Sequence, residues 1–163
     1  MVQFSAPWSQ FLKVISAIIS IVLCVAFWYS SVASDEYSQG FQAFLIAFPV
    51  VLLGGSALFI IRRYEVTDEF IEVVRIIGRK KYRIDNIESV EADPTLMDLS
   101  IRTFGNGGMF SISGFFRNRR LGSYRAFVSN KSNAVVMHRK KGSPIVVSPD
   151  DPDAFVKEIS SRI

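Results

Sequence analysis

Cysteine and histidine are nearly absent from this 163-residue sequence, which has one residue of each. Cys24 has no partner cysteine, so an intramolecular disulfide and a cysteine-based metal cluster are excluded. His138 alone cannot form a multi-histidine metal site or a pair of catalytic histidines, and we interpret it as a strand residue beside a basic turn. Paired carboxylates in an apolar setting are also missing. We therefore predict that the protein is not an enzyme and has no catalytic residues, no cofactor-binding residues and no metal ligands.

Charge is missing from two long stretches near the N-terminus, residues 14–34 and 37–61. Most of both stretches is strongly apolar, and about 20 such residues in an α-helix cross the ~30 Å hydrocarbon layer of a membrane. Pro49 lies in the second stretch, where a membrane helix tolerates it as a kink. The sequence predicts a transmembrane helical hairpin over residues 1–63, with helices at about residues 12–33 and 38–61.

Basic residues flank the predicted hairpin on one side only. Lys13 stands at the start of the first helix, and Arg62 and Arg63 follow the second, whereas the short link between the helices carries only Asp35 and Glu36. Cytoplasmic segments carry the excess of Lys and Arg. We therefore predict a multi-pass protein of the cell (inner or plasma) membrane, with both termini in the cytoplasm.

A cleaved signal peptide is the alternative for the first apolar stretch, because small residues at positions 31–33 resemble a cleavage site. The second helix would then enter from outside, and the C-terminal domain would still be cytoplasmic. Small residues also recur along both helices and favour close packing of one helix on the other, or dimerisation. These small residues are Ser16, Ser20 and Cys24, then Ala43, Ala47, Gly54, Gly55 and Ala57.

After residue 63, short runs rich in Val, Ile, Phe and Tyr alternate with turn residues, which is typical of an antiparallel meander. The prolines and aspartates of residues 148–153 predict a helix start. Phe155, Val156, Ile159 and Ile163 then recur at helical spacing, so one amphipathic helix ends the chain. We predict strands at residues 64–67, 70–77, 82–84, 87–92, 99–104, 109–116, 123–129, 134–139 and 145–147.

About seven antiparallel strands in a partly open barrel, with one C-terminal capping helix, describe the pleckstrin-homology-like (PH-like) architecture. Residues 64–163 resemble one bacterial family of such domains in particular. The resemblance rests on residues 104–108 (FGNGG), 114–116 (GFF), 122–126 (GSYRA) and 148–155 (SPDDPDAF). It implies an all-β bacterial PH-like domain, often membrane-tethered, used for interaction rather than catalysis. Phosphoinositide-binding PH domains have a basic loop between their first two strands, whereas residues 67–69 here (TDE) are acidic.

The acidic and basic residues of this domain are separated along the chain. Residues 64–98 carry nine acidic and five basic residues, whereas residues 99–149 carry nine basic residues and none that is acidic. The asymmetry suggests an anionic lipid, a nucleic acid or an acidic protein as partner, or else pairing of the two halves across a sheet. Nucleic acid is disfavoured by the membrane tether, and we expect none. The glycines of residues 105–108 match no phosphate-loop template, and we interpret them as a tight turn or bulge between strands.

The best candidate site is a basic turn flanked by aromatic residues, where basic groups gain about 1 kcal/mol each on reaching an anionic membrane surface. Its residues are Arg117, Arg119, Arg120, Arg125, Phe115 and Phe116. A second basic turn contains residues 138–141. Two functions follow from this: a scaffold that binds other proteins or its own copies at the membrane, which we favour, or a sensor that faces anionic lipid head groups through the arginine turn.

Overall fold

The computed structural model describes residues 1–32 and 38–163. The predicted link containing Asp35 and Glu36, and the end of the alternative cleavage site, lie outside these residues. The described chain contains three α-helices and ten strands in two sheets. In chain order they are β1 (Val2–Ser5), α1 (Gln10–Val32), α2 (Gln39–Ala57), β2 (Ile61–Val66), β3 (Phe70–Arg75), β4 (Arg79–Arg83), β5 (Ile87–Ala92), β6 (Ile101–Gly107), β7 (Ile112–Asn118), β8 (Gly122–Val128), β9 (Val135–Arg139), β10 (Ile145–Val147) and α3 (Pro152–Ser160).

The two long helices pack side by side and expose most of their apolar side chains. Both are long and apolar enough to cross a membrane, and only 11% and 6% of their apolar stretches are buried. The second helix ends at Ala57, earlier than predicted, because Ile61 already belongs to β2. The amide of Ile76 donates to the carbonyl of Ile60, which joins this exit from the helix to the end of β3.

The small residues of the helices do not all serve helix packing. Ser16 is buried against the β6–β7 turn, where its hydroxyl accepts a hydrogen bond from the amide of Phe110 at 2.9 Å and donates to the carbonyl of Gly108 at 3.4 Å. Gly54 and Gly55 face open space. The first turns of α1 therefore contact the β-domain rather than α2 at Ser16, which corrects the predicted role of that residue.

The first sheet has the order β1-β2-β3-β4, and its first strand precedes the helices in the chain. Strand β1 pairs antiparallel with β2, with Val2 opposite Val66 and Ser5 opposite Arg63. The sequence analysis missed this strand and assigned residues 1–63 to the hairpin alone. A four-residue strand beside an apolar helix leaves too short an alternating pattern to be recognised.

The second sheet has the order β5-β9-β10-β8-β7-β6. Strand β10 is antiparallel to β9 but parallel to β8, with Val146 opposite Ala126. The predicted simple meander is therefore wrong, since β10 inserts between β8 and β9. The described chain has ten strands, against the about seven expected for the architecture and the nine ranges predicted from the sequence. Local turn chemistry predicts hairpins but carries no information on such an insertion. The two sheets do not close into one barrel.

The main hydrophobic core lies between the two sheets and α3. Phe155 of α3 is fully buried, with its ring edge-on to Phe4 of β1 at 5.0 Å and to Tyr64 of β2 at 6.2 Å. Asp151 caps α3 by accepting from the amide of Ala154 at 2.9 Å, as the sequence predicts. The other face of the second sheet is covered by residues 93–100 and by the start of α1, where Leu12 is buried.

Candidate functional site

The arginine turn joins β7 to β8 at one end of the second sheet. Arg120 forms an ion pair with Asp93 at 2.6 Å and donates to the hydroxyl of Thr95 at 3.1 Å. Hydrogen bonds from Thr95 hold the pKa of Asp93 below its usual range, and the hydrogen bond and charge of Arg120 lower it further. Arg117 and Arg119 are exposed and have no ion pair within the described residues. Of the three predicted arginines in this turn, only Arg117 and Arg119 are therefore unpaired and available to a partner.

Strand β6 runs beside this turn as the last strand of its sheet. Residues 101–105 are exposed along it, and Ile101 and Leu99 have exposed fractions of 71% and 97%. These two apolar side chains and the arginine turn line one groove of about 960 Å³. An open strand edge, exposed apolar side chains and two unpaired cations thus occur together.

The two predicted aromatic residues lie on opposite faces of β7, because successive strand side chains alternate. Phe116 is 5% exposed and stacks on Tyr124 with ring centroids 5.9 Å apart. It belongs to the core and cannot insert into an interface while the domain is folded, which corrects its assignment as a contact residue. Phe115 is 45% exposed and remains accessible.

Arg125 lies away from the arginine turn, in a cavity between the helices and the second sheet. Its guanidinium sits over the rings of Phe115 at 5.2 Å and Phe127 at 5.1 Å. The predicted cluster is therefore divided: Arg117, Arg119 and Arg120 line the groove beside β6, whereas Arg125 and Phe115 line the cavity.

The cavity has a volume of about 720 Å³ and contains two arginines that the sequence analysis missed, Arg75 and Arg102. Arg75 ends β3 and stacks over the ring of Phe59 at 5.3 Å. Arg102 lies on β6. These residues are far from Arg125 in sequence and lie in unremarkable strand patterns, so no sequence signal brings the three together.

The cavity arginines are not paired inside the protein. Within the described residues, none of the three guanidinium groups forms a hydrogen bond or an ion pair, and the buried Nε atoms of Arg75 and Arg125 have no partner. Burial and the nearby charge of Arg125 lower the pKa of Arg75. The hydroxyl of Tyr82 is also buried without a partner, and burial raises its pKa despite the nearby arginines. This region therefore concentrates uncompensated positive charge.

The glycines of this region allow two strands to approach closely. Gly105 lies opposite Gly114, both with positive φ, and a Cβ atom on Gly114 would lie 2.1 Å from the carbonyl oxygen of Phe104. A Cβ on Gly107 would lie 2.7 Å from a terminal nitrogen of Arg102, so this guanidinium lies across the glycine backbone.

Several acidic residues of the domain pair with cations nearby in sequence, while Asp93 and Asp68 pair with distant arginines. Glu72 is bound by Lys81 at 2.7 Å and by Arg79 at 3.3 Å, and its hydrogen bond with Lys81 lowers its pKa. Asp68 of the acidic β2–β3 loop pairs with Arg162 after α3. Pairing across the two halves is limited, and the cavity arginines keep their charge uncompensated.

Comparison with protein families decides the nature of the β-domain. The family described as Bacterial PH domain matches residues 62–163, which is more than half of the chain. The chain belongs to this family. No curated protein and no solved structure matches the chain.

The family assignment confirms the resemblance inferred from the sequence and the PH-like character of the fold. The family suggests an interaction module, since PH-like domains are generally non-catalytic. Within the described residues, no group of three or more His, Cys, Asp or Glu side chains lies together in a way that could hold a metal ion. Strand β1 lies outside the matched range, yet it pairs with β2 and so completes the first sheet of this domain.

Proposed function

We propose that this chain is a membrane-anchored, non-catalytic interaction module. Helices α1 and α2 cross the membrane, and the bacterial PH domain binds other proteins or further copies of itself at the cytoplasmic face. The observation that carries this proposal is the open edge of β6 beside two unpaired arginines. Anchoring is supported by the helices, whose exposed apolar surface does not serve a soluble core.

The pairing of β1 with β2 supports a hairpin with both ends on one side of the membrane. Ser5 precedes α1 and lies opposite Arg63, which follows α2. Strands on opposite sides of a lipid bilayer could not pair in one sheet, so this pairing supports a hairpin with both ends on the side of the domain. The basic residues Lys13, Arg62 and Arg63 favour the cytoplasm for this side.

The edge of β6 suits an extended partner segment that adds a further strand to the sheet. Unpaired backbone groups at a sheet edge template such addition, and natural proteins usually protect exposed edges against it. Leu99 and Ile101 would contact apolar side chains of the partner, and Arg117 and Arg119 favour acidic ones. We therefore expect an extended, acidic segment as the ligand of this edge.

Site-specific photocrosslinking in membranes tests this proposal. A photoreactive amino acid at Thr103, exposed on β6, should form covalent adducts with a protein or a second copy of the chain. The same probe at Ser132, which is exposed in the β8–β9 connection, is the matched control and should form few. Ile101→Lys places a charge on the edge and should abolish the Thr103 adducts. Equal adducts at both positions would contradict a specific edge.

A sensor for anionic lipid through the arginine turn is the second candidate, favoured by the exposure of Arg117 and Arg119 beside Leu99. The β6–β7 turn at Gly108 contacts α1, whereas the arginine turn lies at the opposite end of β7. A seven-residue strand separates the two turns by roughly 20 Å, which places the arginine turn away from the helices. The same crosslinking experiment separates the two functions. Lipid adducts at Thr103 in place of protein adducts would favour the sensor over the scaffold.

A further inference from the structure

The cavity between the hairpin and the second sheet combines two chemically different walls. The sheet side presents the guanidinium groups of Arg75, Arg102 and Arg125, and no carboxylate lines the cavity within the described residues. Since these groups have no hydrogen bond or ion pair there, their capacity to bind an anion is unused. Guanidinium groups bind phosphate oxygens strongly, often through two parallel hydrogen bonds.

The opposite wall of the cavity is apolar and belongs to the hairpin. Ile15 and Ile19 of α1 and Leu52 of α2 line it, together with Phe59 just after α2. Along α1 the exposed apolar side chains extend on from this wall, with Ile18 50% and Val22 60% exposed. A ligand in the cavity therefore meets cations on one side and a surface suited to acyl chains on the other.

We propose that this cavity holds the phosphate head group of an anionic glycerophospholipid, with the acyl chains lying along the hairpin. A volume of about 720 Å³ lies in the range of small-molecule sites and accommodates a head group with its glycerol unit. The arginines bind the phosphate oxygens, and the absence of a lining carboxylate disfavours a cationic head group. The site shares β6 with the proposed protein-binding edge, but Arg102 and residues 104–107 line the cavity, whereas Ile101 and Thr103 line the groove. It rests on the proposed anchoring only because the lipid reaches the cavity from the bilayer.

Titration of the full chain in dodecyl maltoside tests the proposal, with calorimetry as the readout. Dioctanoyl phosphatidylglycerol should bind saturably at one molecule per chain. Dioctanoyl phosphatidylcholine should bind about tenfold or more weakly, because its choline meets uncompensated arginines. Glycerol 3-phosphate and inorganic phosphate should also bind about tenfold or more weakly, because they leave the apolar wall uncovered.

Arg102 and Arg117 provide a matched pair of variants. Both are exposed arginines on neighbouring strands, but only Arg102 lines the cavity. Arg102→Gln should weaken phosphatidylglycerol binding about tenfold, whereas Arg117→Gln should leave it unchanged. Gly107→Ala keeps every charge but displaces the Arg102 guanidinium, and it should weaken binding in the same direction.

Three results would overturn the proposal. Equal effects of Arg102→Gln and Arg117→Gln would show attraction to general surface charge. Equal binding of the two phospholipids would remove head-group selectivity, and equal binding of glycerol 3-phosphate and phosphatidylglycerol would indicate a soluble anion in place of a lipid. The titration needs no intact bilayer, so its outcome is independent of whether the helices cross a membrane and of whether the β6 edge binds a protein.

Discussion

At the scale of single residues, the domain depends on a buried group of hydroxyls around Tyr64 and Ser148. The Tyr64 hydroxyl donates to the carbonyl of Phe127 at 2.7 Å and accepts from the amide of Ser148 at 3.1 Å. The Ser148 hydroxyl accepts from the amide of Ser129 at 2.9 Å. These bonds join β2 to the second sheet just before α3, so Ser148 has a structural role.

Burial gives Tyr64 a measurable effect on stability at alkaline pH. Its pKa is raised from 10.0 to about 12, mainly by desolvation. Between these values the folded chain retains a proton that the unfolded chain has lost, so the free energy of unfolding falls as the pH rises from about 10 to 12. Over this pH range the free energy of unfolding falls by roughly 2–3 kcal/mol. Below pH 10 this stabilisation by the Tyr64 proton is fully present.

Thermal unfolding of the full chain in detergent between pH 9 and 12 measures this effect. Tyr64→Phe removes the titrating group, so the melting temperature of the variant should fall less steeply above pH 10. The variant should also be less stable at pH 8, by about 1–3 kcal/mol, because the amide of Ser148 loses its acceptor. Parallel pH profiles for the two proteins would contradict the assignment to Tyr64.

Phe155 is the residue through which α3 is held in the core. Phe155→Ala should lower the free energy of unfolding by roughly 3–5 kcal/mol, because the side chain is fully buried against Phe4 and Tyr64. Ile163→Ala is the control, since Ile163 is half exposed at the end of the chain. Thermal melting of both variants measures the difference, and similar melting temperatures would mean that α3 is not part of the core.

At the scale of secondary-structure elements, the two long helices are tied to the β-domain at one end. Strand β1 enters the first sheet before α1 begins, and the amide of Ser9 donates to the carbonyl of Ser129 at 3.1 Å. Leu12 and Ser16 of α1 are then buried against the domain. The chain thus passes from the sheet into the hairpin and back into the same sheet, which fixes the position of the helices at their domain end.

Removal of residues 1–5 tests the contribution of β1. The deletion keeps both helices and all of residues 62–163, but it takes Phe4 out of contact with Phe155 and removes the ladder to β2. We expect a loss of roughly 3 kcal/mol or more, in the range found for truncation of a buried phenylalanine. Phe4→Ala should reproduce much of the loss. An unchanged melting temperature would show that the β1–β2 pairing is dispensable.

At the scale of the whole molecule, the paired strands on either side of the hairpin predict the topology of the protein. A cytoplasm-dependent reporter fused after Ile163, and one fused before Met1, should both be active. A cysteine in place of Asp35, in a chain carrying Cys24→Ser, should react with a membrane-impermeant thiol reagent applied from outside intact cells. If a cysteine at the C-terminus reacted and the cysteine at position 35 did not, the orientation would be the opposite of the one predicted.

The sequence by itself determined the features that depend on local pattern. Two uncharged apolar stretches predict two long helices, and the prolines and aspartates of residues 148–153 predict the start of α3. Short runs rich in Val, Ile, Phe and Tyr between turn residues predict most strands to within a few residues, and residues 104–155 carried the resemblance to the bacterial PH domain family. These properties arise from hydrogen bonding and burial over a few neighbouring residues, which a single sequence records directly.

Only the tertiary structure decided which side chains share a surface. Phe115 and Phe116 point to opposite faces of β7, and only Phe116 is buried. The face that carries Phe116 is buried because residues 93–100 and α1 cover it, and these are distant in sequence. Arg75, Arg102 and Arg125 meet because β3, β6 and β8 border one cavity beneath the hairpin. Strand order and the insertion of β10 between β8 and β9 are set by long-range pairing, and local sequence chemistry does not specify it.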